Sequence, residues 1–366
     1  MVVILAYQRV GSSFFGKLFD LNPNIFYVYE PLDSLYRAMY GTESGFNIPS
    51  DITSLKDGRN RILPKDEVVA VEEFLTNLFN CRLNKLPTES FVHSFWSFLP
   101  MFMPSWSPYL ECLQNVTLIH GRAKCSAHVK CPRRFGAQPS KTDSCKHHLW
   151  TSERKMRTKA GATGLNWSTS YKQCMSNVRR AADKCIRIMD SKCKRMLIRV
   201  TKTVRVTMES IEGLVATAEN VRVIQLFRDP RAVAASRMTA KTYRGLYAGN
   251  SSVLEAGVYC RILLRDLHTR RRLEKLYPGT FYEVIYEDFV RHPAQYASHV
   301  YRFLESDIPD TLSAWILKNT RNTSRPGGEN RTRRMSKWKR KLTVEQSEKI
   351  STLCKEFYDT IKYDFE

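Results

Sequence analysis

The chain opens with a continuous apolar segment, Val2–Ala6. This pattern is typical of a strand that is buried on both faces of a parallel sheet. A short loop with one glycine and two serines follows. The pattern then predicts an amphipathic helix over Phe14–Leu21 and a second strand over Ile25–Tyr29. The start of the chain therefore predicts a strand–loop–helix–strand unit.

The same alternation returns in the second half of the chain. Strands that alternate with helices predict an α/β fold whose central parallel sheet is covered on both faces. Further strands are predicted at Met196–Val200, Val221–Phe227 and Phe281–Tyr286. Helices are predicted at Val68–Phe79, Glu89–Leu99, Met208–Ala218, Pro230–Met238, Val253–Leu276, Pro293–Leu304, Thr311–Leu317 and Val344–Tyr358.

The middle of the chain lacks this regularity. Residues 41–65 are rich in Gly, Ser, Asp and Pro, which predicts a surface loop. Residues 120–170 carry Cys, Lys, Arg, Ser and Gly with little periodicity. We therefore expect one domain over residues 1–366 with a variable region at 41–190. That region would include a basic, disulfide-tied insertion at about 120–190.

Composition and charge narrow the class of partner. The chain has 366 residues, and its 43% hydrophobic content predicts a folded globular protein rather than a disordered one. The net charge of +22 is expected to attract a polyanion, whether nucleic acid, an acidic lipid surface or an acidic polysaccharide. Charge alone favours nucleic acid. The basic residues recur at Arg122–Lys146, Lys155–Lys159, Arg179–Arg205, Arg270–Arg272 and Arg331–Lys341.

Cysteines and glycosylation sequons indicate a compartment. Ten cysteines in a chain of this size suggest an oxidising environment. Five N-x-S/T sequons support it, at Asn115, Asn166, Asn250, Asn322 and Asn330. The alternative for some of the cysteines is a zinc site, although the spacing fits no common zinc pattern and no metal is expected. Its candidate ligands are Cys125, His128, Cys131, Cys145, His147 and His148.

The N-terminus adds an expectation about the length of the natural protein. The apolar start, Met1–Ala6, is too short for a signal peptide or a membrane span. A protein of the secretory pathway needs an entry signal. We therefore expect that this chain is a fragment, or a gene model, that lacks an N-terminal anchor and stem.

The first candidate site is the loop after the first strand. A loop between a buried strand and a helix start gathers backbone N–H groups around one point, where the helix dipole favours an anion. The glycine permits close approach, the serines donate hydroxyl groups and the arginine adds a full charge. An ordinary capped turn would have similar residues. The G-x-x-x-x-G-K-[ST] pattern is absent, which argues against a nucleoside-triphosphate kinase. The residues are Arg9, Val10, Gly11, Ser12, Ser13, Phe14 and Phe15.

The second candidate site follows the strand predicted at Val221–Phe227. Arg228 comes at the carboxyl end of this strand, where ligands bind in open α/β sheets. Asp229 is placed to cap the next helix and Pro230 suits its first position. Arg228 and Ser236 are expected to contact one phosphate, and Arg231 to support them. The whole segment is Arg228, Asp229, Pro230, Arg231, Ala232, Val233, Ala234, Ala235, Ser236 and Arg237.

With these two segments, the sequence resembles the Golgi carbohydrate 6-O-sulfotransferases, which sulfate Gal, GlcNAc or GalNAc. Arg9–Phe15 resembles their 5′-phosphosulfate loop, R-x-G-S-S-F, and Arg228–Arg237 resembles their 3′-phosphate motif, R-D-P-R-A-V-x-x-S-R. Val10 departs from the Ser or Thr usual there, which removes a hydroxyl but leaves the backbone available. Further matching segments are Glu30-Pro31-Leu32, Lys202–Arg205, Tyr277-Pro278-Gly279, Tyr286–Phe289, Trp315-Ile316, Asn319-Thr320 and Trp338.

The resemblance implies a P-loop-like three-layer α/β/α sandwich and a donor, 3′-phosphoadenosine 5′-phosphosulfate (PAPS). It implies transfer of sulfate to a sugar hydroxyl, a glycan or proteoglycan acceptor, no nucleic acid, no metal, and a location in the Golgi lumen or membrane. A homo-oligomer stays open. The alternatives are a glycan-binding homologue without activity and a basic nucleic-acid-binding protein.

Sulfuryl transfer also needs a base that takes the proton of the acceptor hydroxyl. Glu30 is the candidate, because it follows a short strand beside the first loop and should project over the same sheet edge. Related sulfotransferases use Glu or His in this role. Arg9 is expected to stabilise charge on the leaving group. A salt-bridged glutamate at a strand end is the alternative interpretation of Glu30.

Overall fold

A computed structural model describes residues 1–35, 65–92, 103–114, 163–239, 251–320 and 335–362. Its five strands lie in one sheet in the order β2-β3-β1-β4-β5, and the pairs β1/β4 and β4/β5 are parallel. The predicted α/β fold with a central parallel sheet is confirmed. The strands are Val2–Leu5 (β1), Ile25–Tyr29 (β2), Ile198–Thr203 (β3), Arg222–Phe227 (β4) and Phe281–Ile285 (β5).

Helices connect and cover the described strands. The early ones are Ser12–Phe15 (α1), Lys17–Asp20 (α2), Lys65–Phe79 (α3), Glu89–Val92 (α4) and Ser107–Gln114 (α5). The middle ones are Thr163–Arg195 (α6), Glu212–Thr217 (α7), Pro230–Thr239 (α8) and Ser251–Leu276 (α9). The last are Tyr286–Arg291 (α10), Pro293–Phe303 (α11), Asp310–Thr320 (α12), Val344–Leu353 (α13) and Lys355–Ile361 (α14).

The chain divides into two compact units. One consists of residues 1–22, 46–68 and 202–366, and the other of residues 23–45 and 69–201. The expectation of one domain over the whole chain stays a prediction.

In the first unit, apolar strands set the core. All four residues of β1 are buried, and β4 is buried from Val223 to Phe227. A disulfide between Cys260 and Cys354 joins α9 to the junction of α13 and α14. These helices therefore form a covalently linked layer in the same unit as β4.

In the second unit, the 33-residue helix α6 is the longest element. The expectation of little regular structure over residues 120–170 is wrong from Thr163 onward, because helix α6 begins there. Farther along, α6 presents a regular buried face that includes Val178, Ala182 and Met189. Disulfide ties are confirmed within this unit. They join Cys81 to Cys193 and Cys112 to Cys185. The candidate zinc ligands lie outside the described residues.

The main differences from the predicted element boundaries concern β3, the first helix and the last helix. Strand β3 begins at Ile198 rather than Met196 and runs on to Thr203, because polar residues continue it into the interior; Lys202 is only 1% exposed. The first helix is broken at Gly16, and the last is divided at Cys354, where the disulfide lies. Hydropathy alone misses a strand whose buried end is polar.

The described residues bear on only part of the predictions about glycosylation and membrane insertion. Asn166 falls within α6, and the sequons at Asn115, Asn250, Asn322 and Asn330 lie outside the described residues. Across the described ranges, no helix combines the length and the apolar character needed to cross a membrane.

Candidate functional site

The loop after β1 has an unusual backbone. Arg9 and Gly11 both have positive φ, 75° and 89°. A non-glycine residue in this region is uncommon and is held only where its surroundings fix it. The Gly11 carbonyl accepts from the N–H groups of Phe14 and Phe15 at 3.0 and 3.2 Å, which starts helix α1 directly after the loop.

A side chain from a distant part of the sequence leaves no space for any residue other than glycine at position 11. A Cβ atom built on Gly11 would lie 2.1, 2.3 and 2.9 Å from ring carbons of Tyr286. The sequence assigned this glycine to close approach of an anion. The structure adds that an aromatic ring already lies against the glycine, so both its φ angle and its missing side chain are needed.

The aromatic end of the same loop is fixed in the core. Phe15 is fully buried, with ring centroids 5.6 Å from Phe19 and 5.2 Å from Phe289. Phe14 contacts Phe289 at 5.2 Å and Trp315 at 5.4 Å. Phe14 and Phe15 therefore anchor the loop through ring packing, and Val10 beside them is also buried.

The second predicted segment begins where β4 ends. The Asp229 carboxylate accepts from the backbone N–H of Arg231 at 2.8 Å, and Pro230 is the first residue of α8, as the sequence predicts. Four residues of this helix pack into the core rather than facing an open site: Ala232, Val233, Ala234 and Ala235.

The two predicted segments contact each other directly. Arg228 donates from Nη1 to the backbone carbonyl of Arg9 at 2.8 Å. Arg9 in turn donates from Nε to the Ser236 hydroxyl at 3.0 Å. Residues more than two hundred positions apart thus bring two arginine side chains and one serine hydroxyl to one place. This place combines two positive charges with the loop after β1.

Tyr286 and Glu287 complete this arrangement, and neither was named as a site residue from the sequence. The Arg228 guanidinium lies 4.6 Å from the centroid of the Tyr286 ring, a cation–π contact. Its Nε lies 3.8 Å from Glu287 Oε1, and that oxygen also accepts from the Asp229 N–H at 3.4 Å. Both residues come directly after a buried strand, in a segment that resembles a family motif. These two features of the sequence could have identified them as site residues.

Burial changes the titration of these carboxyls. Desolvation raises the pKa of Glu287 to about 7, although the Arg228 charge acts in the opposite direction. Desolvation also raises the pKa of Asp229, against hydrogen bonds and charge from Arg231 that lower it. Arg228 thus lies beside a carboxyl whose charge depends on pH near neutrality.

Arg231 contacts two aromatic side chains of the C-terminal segment. Its guanidinium lies 4.3 Å from the Trp338 ring centroid and 5.7 Å from that of Tyr358. The Tyr358 hydroxyl donates to Asp229 Oδ1 at 3.3 Å. The C-terminal segment therefore packs against the start of α8 through Arg231.

Arg237 is buried, in contrast to Arg9. It is 3% exposed, its Nη2 donates to the Gln8 carbonyl at 3.4 Å, and its guanidinium lies 5.2 Å from the ring centroid of Tyr259. These contacts support the loop from beneath. Ser12 is also buried, whereas Ser13 is half-buried.

Glu30 lies in the other unit, at the end of β2. It is partly exposed and has a positive φ of 45°, and its carbonyl accepts from the Asp33 N–H at 3.2 Å. It lines a cavity of about 30 Å³, together with apolar side chains that include Phe74, Phe91 and Trp106. A glutamate with left-handed backbone conformation at a strand end is strained, and such strain is often found at functional sites.

A metal centre finds no support within the described ranges. There, no group of three or more His, Cys, Asp or Glu side chains is placed to hold an ion. The arrangement around Arg9 and Arg228 brings two positive charges close together.

Comparison with known proteins adds a family. The model of the sulfotransferase family matches residues 119–310, which include Arg228–Arg237. The chain is 23% identical to carbohydrate sulfotransferase 1 of Danio rerio, over 99% of this chain and 77% of that protein. It is 25% identical to human carbohydrate sulfotransferase 3, over 96% of this chain and 65% of that protein. It is 24% identical to carbohydrate sulfotransferase 7 of Mus musculus, over 96% and 72%.

Among solved structures, the chain is similar to a sulfotransferase domain from the olefin synthase of Synechococcus PCC 7002. The TM-score is 0.42 at 13% identity, over 100% of this chain and 94% of that one.

The contact between Gly11 and Tyr286 generates a first prediction. We expect Gly11→Ala to weaken binding of adenosine 3′,5′-bisphosphate and to lower the melting temperature. The added Cβ must displace the ring that contacts Arg228, at a cost of about 1–3 kcal/mol beyond the positive-φ strain. Calorimetric titration and thermal unfolding measure the two effects.

Gly279→Ala is the matched control. Gly279 also has a positive φ, 77°, but its Cβ would meet nothing within 4 Å. It should carry the backbone strain alone, on the order of 1 kcal/mol, and leave nucleotide affinity unchanged. Equal effects of the two substitutions would contradict the role of the Tyr286 ring.

Glu287 generates a prediction about pH. Its pKa is about 7 when folded, whereas glutamate titrates near 4.3 when unfolded. The folded state therefore binds the proton more tightly, so this group makes stability fall as pH rises from about 4.5 to about 7. Glu287→Gln should reduce the decline of melting temperature across this interval.

Glu345→Gln provides the comparison. Glu345 is exposed, and its hydrogen bond with Lys349 lowers its pKa. Its contribution therefore lies below the pH interval in question, and the slope should match that of the wild type. A Glu287→Gln variant with an unchanged slope would show that this carboxyl does not titrate there.

Proposed function

We propose that this chain, which belongs to the sulfotransferase family, transfers the sulfuryl group of PAPS to a hydroxyl group of a glycan. The proposed acceptor is a primary 6-hydroxyl of Gal, GalNAc or GlcNAc. The names of several relatives support a carbohydrate acceptor, and the charge of +22 suits an acidic one.

The observation that carries the proposal is the hydrogen-bonded set of Arg228, Arg9 and Ser236. PAPS has a 5′-phosphosulfate and a 3′-phosphate, so a protein that holds it needs two anion-binding segments at a fixed separation. Arg9 belongs to the loop after β1, and Ser236 belongs to the helix after β4. The contacts between them support one site that receives both anionic groups.

We assign the residues as follows. The loop from Arg9 to Ser13 would hold the 5′-phosphosulfate, and Arg228 with Ser236 would hold the 3′-phosphate. Arg231, through its contact with the Trp338 ring, and Arg237, through its hydrogen bond to the Gln8 carbonyl, would hold these residues in position. Arg–phosphate pairs are strong because both partners are charged and the guanidinium donates in a fixed plane.

The proposed reaction is an in-line displacement at sulfur. A bond forms between the acceptor oxygen and sulfur while the bond from sulfur to the bridging phosphate oxygen breaks. Glu30 would take the acceptor proton, and adenosine 3′,5′-bisphosphate would leave with its negative charge balanced by Arg9. Positioning and charge stabilisation supply most of the rate in such transfers.

The proposed location is the Golgi lumen. Three disulfides in the described chain and five sequons in the sequence support an oxidising, glycosylating compartment. A membrane anchor in the natural protein and a homo-oligomer stay predictions.

Arg228 generates a prediction about the donor. We expect Arg228→Gln to weaken binding of adenosine 3′,5′-bisphosphate about ten- to hundredfold, because a charge-assisted hydrogen bond contributes about 1.5–3 kcal/mol. Calorimetric titration of the folded protein measures this change.

Arg222→Gln is the control on the same strand. Arg222 begins β4, at the opposite end from Arg228, and pairs with Glu305 at 2.6 Å. Its replacement should leave the affinity within about twofold of the wild type. The proposal fails if both variants bind the nucleotide as the unmodified chain does.

The transfer assay tests the function itself. Radiolabelled sulfate from PAPS should be incorporated into at least one member of a panel of desulfated glycans. Glu30→Gln should abolish incorporation while nucleotide binding survives, because only the base is removed.

Two results would count against these assignments. Absence of incorporation into every glycan, by folded and glycosylated protein that binds the nucleotide, would indicate a glycan-binding homologue without activity. Turnover of Glu30→Gln near the wild-type rate would remove Glu30 from the mechanism and leave the donor site intact.

A further inference from the structure

A polar groove lies on the second unit, beside helix α6. Its volume is about 500 Å³, within the range of pockets that hold small ligands. One side is formed by the turn after α3 and the other by one face of α6. The lining residues are Asn80, Cys81, Arg82, Asn84, Asp183, Ile186, Arg187, Asp190 and Lys194.

The two sides of the groove are fixed to each other. The Cys81–Cys193 disulfide joins the turn to α6, with a Cα separation of 5.6 Å. The Leu83 N–H donates to Asp190 Oδ1 at 3.4 Å. Arg179 donates from α6 to the Leu83 carbonyl at 3.1 Å. A groove held in this way loses little conformational freedom when a ligand binds.

The charges in the groove favour an anion. Arg82, Arg187 and Lys194 are exposed cations. The two carboxylates are already paired within α6, Asp183 with Arg187 and Asp190 with Lys194. Such exposed pairs contribute little energy and exchange partners readily. Because the Arg187 and Lys194 side chains remain 69% and 62% exposed, they stay accessible to an anionic ligand.

Positive charge continues along the helix beyond the groove. Arg180, Lys184 and Arg195 are exposed on α6. With a rise of about 1.5 Å per residue, the basic residues from 180 to 195 extend over about 22 Å. An extended ligand with repeated negative groups fits this surface better than a single small anion does.

We propose that this groove binds an acidic segment of the acceptor oligosaccharide, away from the sugar that is sulfated. The inference rests on the proposed function, since it assigns an acidic glycan as the substrate class. The arginine and lysine side chains would pair with sulfate or carboxylate groups, and the amides of Asn80 and Asn84 would bind hydroxyl or acetamido groups.

The side chains in the groove distinguish this ligand from single-stranded nucleic acid. Proteins that bind single-stranded nucleic acid combine basic grooves with aromatic side chains on which the bases stack. The groove residues named above include no aromatic side chain. Amides and paired charges without a stacking surface are suited to sugars.

The test compares two triple variants that remove equal charge. Arg82→Gln/Arg187→Gln/Lys194→Gln changes the groove. Arg272→Gln/Lys349→Gln/Lys355→Gln changes three exposed cations of the first unit that are also ion-paired. The probe is a chondroitin sulfate hexasaccharide, and its dissociation constant is measured by calorimetry at two salt concentrations.

We expect the groove variant to bind the probe about tenfold more weakly and the control variant within about twofold of the wild type. KM for a long sulfated acceptor should rise in the groove variant. Transfer to N-acetylglucosamine and affinity for adenosine 3′,5′-bisphosphate should stay unchanged. The single variant Lys194→Gln, which keeps the turn intact, should show a smaller loss in the same direction.

Several outcomes would overturn the inference. Equal weakening in both triple variants would indicate attraction by net charge alone. A single-stranded oligonucleotide of equal charge that binds as tightly as the hexasaccharide, with the same loss in the groove variant, would indicate a nucleic-acid site. The binding measurement does not depend on turnover. Selective loss of the hexasaccharide without any transfer would therefore support the groove while contradicting the proposed activity.

Discussion

The candidate donor site depends on the contacts of the Arg228 side chain. Its guanidinium donates to the Arg9 carbonyl, lies over the Tyr286 ring and lies beside Glu287. Arg9 extends the set to Ser236. Arg228 and Arg9 together thus link the loop after β1, the helix after β4 and the helix after β5. A largely buried charge needs this many partners, because desolvation is costly without them.

The same site concentrates features that lower stability. Arg9 has a left-handed backbone, Gly11 tolerates no side chain, and two carboxyls near Arg228 are buried enough to raise their pKa. Strain and buried ionisable groups of this kind persist where surrounding structure fixes them. Here the surrounding structure includes the aromatic packing of Phe15, which fixes the loop after β1.

The second unit depends on different interactions. The Cys81–Cys193 disulfide and hydrogen bonds from Arg179 fix the long helix α6 to the turn after α3, and the Cys112–Cys185 disulfide fixes α6 to α5. A polar groove with exposed cations lies between α6 and that turn. A covalent link can hold a surface groove open because it does not require apolar packing at that place. This unit therefore carries a basic surface on a rigid frame, which is suited to an extended acidic ligand.

The sequence by itself determined the apolar strands, the cap at Asp229 and the two basic segments, because these depend on local periodicity and on neighbouring residues. It missed the buried polar end of β3 and the helix from Thr163, where hydropathy gives little signal. Only the tertiary structure showed that Tyr286 lies against Gly11 and that Arg228 contacts Arg9. The residues of each pair are more than two hundred positions apart in the sequence. They meet only when the sheet has formed.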